Sequence, residues 1–197
     1  MLLRAIRPFA SHPRVRQIAV ALPPEVVANP PAWLAELVGD RLCLAVGGAT
    51  RTESVLAGLG ALSSSIEAVL VHDAARPFVA AETINAVIEK ATVGTCAVAA
   101  VPLVDTLKRA DPRGQRVFET VPRGGLWRAQ TPQGFPRAAL EEAYRAWSAN
   151  RGGMDATDDA ALVEAAGFHV ELVRDRTTNL KITTPEDFWL AEALASR

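Results

Sequence analysis

Short apolar runs recur along the chain, and the stretches between them carry apolar residues at helical spacing. IAVALPP from Ile18, LCLAVGG from Leu42, AVLVHD from Ala68, TCAVAAVPLVD from Thr95 and HVELVRD from His169 have strand length and little alternation. Near-continuous runs of this kind belong to strands covered on both faces. Helical periodicity fills residues 31–38, 52–62, 81–91, 136–149, 157–166 and 185–195. The last of these opens with TTPED, where Thr184 can cap, Pro185 suits the first helical position and Asp187 completes a capping box. Strands alternating with helices predict one α/β domain over residues 1–197, a mostly parallel, doubly wound sheet flanked by helices.

Residues 106–133, TLKRADPRGQRVFETVPRGGLWRAQTPQ, break that rhythm. Polar and apolar positions alternate around the turn signal DPRG, which predicts a β-hairpin or extended arm. A long unpaired edge on such an arm calls for a partner.

Composition narrows the setting. With 21 basic and 22 acidic residues among 197, the net charge of −1 gives no electrostatic case for a nucleic-acid or membrane surface. An anionic ligand must therefore be held by local arginines and lysines. The two cysteines, Cys43 and Cys96, lie inside apolar runs, which predicts small buried hydrophobes in a reducing, cytoplasmic setting. Arginines and a proline within the first fifteen residues do not fit a signal peptide, and no apolar run has membrane-spanning length.

In open parallel sheets ligands bind beyond the carboxyl ends of the strands. Those ends deliver GGATRTES, HDAARP, DTLKR and RDRTTNLK, all polar. In the first, Gly47 and Gly48 follow a strand, and Arg51 and Ser54 open a helix whose free amides attract anions. A tight turn with a helix cap explains the same residues. In the second, Asp73 suits a ribose, a metal-bound water or a substrate hydroxyl, and Arg76 suits a phosphate, although a structural ion pair explains both. His72 reads as a packed or hydrogen-bonding residue. The run DATDD, residues 155–159, reads as a helix cap in preference to a metal site. Lys181, beside Thr183, follows a strand where it can neutralise phosphate. The chain contains no GxSxG, HExxH or CxxC. Positioning and charge neutralisation, as in phosphoryl or nucleotidyl transfer, fit this inventory.

Six blocks taken in order, GGATRTESVLAGL, VHDAARPF, VPLVDTLKR, GLWRAQTPQGFP, DATDDAALVEAAGF and NLKITTPEDFWLAEAL, resemble the 2-C-methyl-D-erythritol 4-phosphate cytidylyltransferases of the non-mevalonate isoprenoid pathway. The resemblance runs from about His12 to the C-terminus. It implies a Rossmann-like α/β fold and transfer of CMP from CTP to the methylerythritol phosphate, releasing pyrophosphate with Mg²⁺. It also implies a homodimer in which the arm of one subunit completes the other's site. Carried over by position, Gly47, Gly48, Arg51 and Ser54 would contact the nucleotide. Asp73, Arg76, Thr106, Thr131, Thr157 and Thr183 would bind the sugar phosphate, with Asp73 also near the ribose. Arg123 and Lys181 would be catalytic, placing the substrate phosphate for attack on the α-phosphorus, and Thr106 and Arg123 would come from the partner's arm.

Members of that family begin with a strand and a glycine-rich loop of the type PAAGxGxRMxxxxPKQ, absent from this sequence, in which residues 1–15 correspond to the following helix. The chain is thus expected to be N-terminally truncated relative to the family, with Ala49 where an acidic residue is common. Ending at Arg197, it is expected to carry no fused downstream domain. Two other readings stay open. A ribitol-5-phosphate cytidylyltransferase has a similar fold and motifs, and a non-catalytic nucleotide-binding remnant would account for the missing loop.

Overall fold

The computed structural model of the protein describes residues 1–149 and 156–196. Its central strand is β4 (Cys96–Pro102), where six successive residues are buried because neighbours cover both faces. β4 pairs in parallel with β8 (Val170–Arg174) and antiparallel with β7 (Trp127–Pro136), which in turn pairs antiparallel with β3 (Ala68–Val71). The order is β3-β7-β4-β8. A separate parallel pair joins β1 (Ile18–Leu22) to β2 (Leu42–Val46), and β5 (Leu107–Ala110) with β6 (Val117–Val121) forms an antiparallel hairpin.

Helix α1 (Leu2–Ala10) precedes β1 and buries Ile6 and Phe9. The short helices α2 (Pro24–Ala28) and α3 (Ala32–Ala35) link β1 to β2. α4 (Arg51–Ala61) follows β2 and is fixed at its start by a capping box between Thr50 and Glu53. α5 (Ala81–Thr92) follows β3, α6 (Arg137–Ala149) and α7 (Asp159–Ala165) follow β7, and α8 (Pro185–Ala195) closes the chain behind a second capping box from Thr184 to Asp187. The main core brings Phe135, Leu140, Tyr144 and Val163 together beneath Val69 and Val71. Both cysteines are free, and Cys96 is buried in β4.

All five expected strands and all six expected helices are present, with the helix expected at 31–38 reduced to the single turn of α3. The expected α/β fold with helices flanking a mostly parallel sheet holds broadly, and the structure refines the sheet in two ways. It is mixed, because β7 runs against both neighbours, and it is divided, because β1 and β2 do not pair with the rest. The expected arm, 106–133, is also too long: only β5 and β6 project, and from Trp127 the chain enters the central sheet.

The sequence of β7 hides it. Pro132, Gly134 and Pro136 read as turn residues, and Gln130, Thr131 and Gln133 look like surface positions. All three polar residues are buried because each has an internal hydrogen-bond partner. Gly134 is required by α5, since a Cβ there would lie 2.4 Å from the Val87 side chain.

Candidate active site

The loops after β2, β3 and β8 converge on one carboxylate. Arg51 Nε lies 3.2 Å from Asp73 Oδ1, Lys181 Nζ lies 3.0 Å from Asp73 Oδ2, and Arg76 Nε lies 3.8 Å from the same oxygen. Three cations, one of them more than a hundred positions from the other two, therefore surround one acid. Burial by itself would raise the Asp73 pKa, but Lys181 and Arg51 outweigh it and hold the carboxyl below its ordinary value.

Arg51 is anchored from behind as well. Its Nη1 donates to Asp159 Oδ2 at 2.7 Å, and Tyr144 Oη donates to Asp159 Oδ1 at 2.6 Å. Burial opposes the charged guanidinium, but Asp159, with Asp73 behind it, leaves the Arg51 pKa raised. Arg76 differs, because burial outweighs its attraction to Asp73 and its pKa is lowered. Its Nη1 donates to the Asn179 carbonyl at 2.8 Å, while its Nε is buried without a hydrogen-bond partner among the described residues.

The turn that presents Asp73 is built on a neutral histidine. His72 Nε2 donates to the Arg76 carbonyl at 2.9 Å, so Nδ1 accepts from the Thr131 hydroxyl at 2.9 Å. The same hydroxyl accepts from the Asp73 backbone N–H at 3.0 Å. Burial lowers the His72 pKa to about 4, which keeps the ring neutral and the tautomer fixed. Asn179, fully buried, ties Thr131 O to Asp175 Oδ2 and so joins the loop carrying Lys181 to β7.

The expected nucleotide residues lie beside this cluster. Gly48 N donates to Ser54 Oγ at 3.1 Å, closing the turn between β2 and α4. A Cβ on Gly48 would fall 2.2 Å from that of Glu53, so the capping box itself demands glycine there. Gly47 bonds back to Leu22 O at 2.8 Å.

Asp73, Arg76, Lys181 and Arg51 are thus brought together, with Gly47, Gly48 and Ser54 next to them. Thr131 is buried behind the cluster, with its hydroxyl already committed to Asp73 and His72, so its place in this chain is that of a buttress and not of a surface contact. Thr183 is exposed and donates its hydroxyl to Asp187 at the start of α8, and Thr157 is exposed just ahead of α7. Thr106 and Arg123 are exposed on the arm, where Arg123 Nη1 contacts the Val104 carbonyl, and no described hydrogen bond or ion pair joins either to Asp73. In the DATDD run Asp158 is the cap of α7, Asp159 is the anchor of Arg51, and Asp155 lies outside the described residues.

Sequence reading missed Asp159, Tyr144 and Asn179 as supports of the site. Only for Asp159 was there a signal, a second aspartate directly after a capping one.

Comparison with known proteins agrees along the chain. Residues 1–197 match the family described as "IspD: 2-C-methyl-D-erythritol 4-phosphate cytidylyltransferase". The chain belongs to this family. It is 44% identical over 195 residues to the 2-C-methyl-D-erythritol 4-phosphate cytidylyltransferase of Salinibacter ruber, covering 98% of this chain and 80% of the relative. It is 40% identical over 192 residues to the bifunctional enzyme IspD/IspF of Desulfotalea psychrophila, covering 98% of this chain and 48% of the relative. The chain thus spans about half the length of the bifunctional relatives it matches and 64–82% of single-activity ones. The crystal structure of the Thermus thermophilus cytidylyltransferase superposes with a TM-score of 0.84 at 40% identity, covering all of this chain and 90% of that one. The α/β nucleotidyltransferase fold, with helices flanking its sheets, is that of the IspD family.

Proposed function

We propose that this chain carries the cytidylyltransferase chemistry of its family, transfer of CMP from CTP to 2-C-methyl-D-erythritol 4-phosphate with release of pyrophosphate, in isoprenoid precursor synthesis. The observation that carries the reading is the grip of Arg51, Arg76 and Lys181 on the single carboxylate of Asp73. Three cations around one acid leave positive charge to spare, which suits two anionic substrates held side by side.

The division of labour follows from exposure. Arg51 is locked between Asp73 and Asp159 and offers a fixed charge to the nucleotide beside the Gly47, Gly48 and Ser54 turn. Lys181, the most exposed of the three cations at 44%, is free to leave Asp73 for an arriving phosphate. Asp73, freed of one cation, then accepts from a ribose or polyol hydroxyl. Arg76, held by the Asn179 carbonyl, brings its unpartnered Nε to the sugar phosphate side. Thr157, exposed just ahead of α7, has its hydroxyl available to the polyol, and Thr183, whose hydroxyl donates to Asp187, can still accept from it.

Among the described residues no group of three His, Cys, Asp or Glu side chains forms a metal cage. Asp73, its oxygens shared among cations, fits a Mg²⁺ ion that enters on the nucleotide's phosphates and needs at most one carboxylate from the protein. Such an ion supplies charge neutralisation at the transferring phosphorus.

The arm exposes Val104, Val117 and Phe118, an apolar surface that supports a homodimer in which Thr106 and Arg123 reach the partner's site. No helix among the described residues is long and apolar enough to cross a membrane. Free cysteines and near-neutral charge support a cytoplasmic enzyme acting on small molecules and not on nucleic acid.

Pyrophosphate release from CTP and Mg²⁺ with each sugar alcohol phosphate tests the proposal. Release with methylerythritol phosphate supports it, and release with ribitol 5-phosphate alone moves the chain to the neighbouring specificity. CTP binding without release with either marks a non-catalytic remnant.

A further inference from the structure

β7 runs against both of its neighbours, so its first residues lie at the edge of the sheet where β3 and β4 end. Trp127 pairs with Pro102 and Arg128 with Val101, the last positions of β4. The same edge receives the loop after β3, with Asp73 and Arg76, and the loop after β8, with Asn179 and Lys181. The start of β7 therefore opens onto the Asp73 cluster, and Arg128 is the charge it brings there.

The strand fixes the direction of that charge. Successive residues alternate in face, so Arg128 and Gln130 share one face of β7, separated by roughly 7 Å along it. Gln130 Nε2 donates to the Asn179 carbonyl at 2.9 Å, and Arg76 Nη1 donates to the same oxygen at 2.8 Å. Arg76 therefore lies over the Gln130 face, and Arg128 leaves that face one step nearer the sheet edge. Two guanidiniums from separate elements are neighbours there. Burial is the first cause of the lowered Arg76 pKa, and Arg128 is the one cation among the described residues that lowers it further.

No protein group relieves this repulsion. Arg51 is held by Asp73 and Asp159, and Lys181 by Asp73. The exposed Arg128 side chain makes no hydrogen bond or ion pair with any described residue, and Arg76 Nε is buried without a partner among them. Like charges side by side are unfavourable until an anion is shared between them. Their place in the cluster selects the anion. Asp73 Oδ1 meets Arg51, which follows the Gly47 and Gly48 turn, whereas Oδ2 meets Lys181 and Arg76. Arg128 extends the second side, away from the nucleotide turn. A phosphomonoester there carries nearly two negative charges and three terminal oxygens, enough for two guanidinium forks.

We propose that Arg128 is a substrate-binding residue that closes, with Arg76, a two-arginine clamp on the phosphate of the sugar alcohol phosphate. The assignment rests on the proposed function for the class of acceptor. It makes Arg128 a determinant of specificity, because two planar forks grip a phosphomonoester and have nothing to hold on a free polyol.

Calorimetric titration of methylerythritol phosphate and of ribitol 5-phosphate tests the clamp, in the presence of Mg²⁺ and a CTP analogue carrying a methylene between its α- and β-phosphorus. Arg128→Gln should weaken whichever sugar phosphate the unaltered chain binds by roughly tenfold or more, through loss of one charge-assisted contact. Affinity for the CTP analogue, titrated alone with Mg²⁺, should not change. In the double variant Arg76→Gln/Arg128→Gln the loss should differ from the product of the single losses by at least about threefold, as for two groups on one ligand. Equal sugar phosphate affinity in Arg128→Gln, an equal loss for the CTP analogue, or losses that simply multiply would overturn the proposal. So would failure of the unaltered chain to bind either sugar phosphate. Preference for ribitol 5-phosphate, weakened by Arg128→Gln, overturns the methylerythritol assignment and keeps the clamp. Methylerythritol phosphate bound equally by both proteins keeps that assignment and overturns the clamp.

Discussion

Lys181 Nζ lies 3.0 Å from Asp73 Oδ2, although 108 positions separate the two in sequence. The contact closes a ring of loops from β2, β3 and β8 around one carboxylate. Because Lys181 is 44% exposed, the pair adds little to stability, yet under the proposed function it sets the charge that an incoming phosphate would meet.

Lys181→Ala is therefore expected to separate function from folding. Unfolding free energy should change by no more than about 1 kcal/mol. Pyrophosphate release should fall by roughly 10²–10³, the usual cost of removing one preorganised donor from a transferring group. Denaturant unfolding beside a release assay checks both.

Asp159 behaves in the opposite way. It is fully buried, bonded to Arg51 and Tyr144, so Asp159→Asn leaves a guanidinium without its closer partner. A loss of about 2–3 kcal/mol is expected, below the full cost of breaking a buried pair because Arg51 reaches solvent. Tyr144→Phe should cost about 1 kcal/mol. Chemical denaturation of the two variants measures the difference, and nucleotide affinity should fall with Asp159→Asn as Arg51 loses its aim.

His72 makes stability depend on acid. Its ordinary pKa of 6.5 is lowered to about 4 in the folded chain, so the unfolded chain binds the proton first as pH falls. Stability is complete above about pH 6.5 and declines down to about pH 4, by on the order of 3 kcal/mol from this residue. Unfolding curves across that range should show a smaller decline in His72→Gln.

Gly134→Ala tests the seat of α5 on β7. The new Cβ would lie 2.4 Å from Val87 Cγ1 and 3.1 Å from the Val87 carbonyl, and the carbonyl cannot rotate away. About 1–3 kcal/mol of destabilisation is expected by thermal or denaturant unfolding.

Much of this was legible in the residues. The runs at Ile18, Leu42, Ala68, Cys96 and Val170 carry their own signal, because each is a short apolar run of strand length, and the helices between them bear periodic faces and caps. β7 was not legible, because its burial rests on hydrogen bonds made by Gln130, Thr131 and Gln133, which no periodicity records. The site divides similarly. Asp73, Arg76 and Lys181 lie in the loops that leave β3 and β8, where the sheet topology gathers them. Thr131 belongs to the buried strand, and its role as a buttress emerged only from where β7 runs. Asp159 and Tyr144 act from behind Arg51, on elements whose packing the linear order does not reveal.

Calorimetric titration of 2-C-methyl-D-erythritol 4-phosphate into the chain, with Mg²⁺ and a CTP analogue carrying a methylene between its α- and β-phosphorus so that no transfer occurs, measures most directly whether the Asp73 cluster receives the substrate phosphate. Binding at one site per chain is expected, weakened at least roughly tenfold by Lys181→Ala through loss of one charge-assisted hydrogen bond. Equal affinity in both proteins, or no binding by either, would contradict that placement.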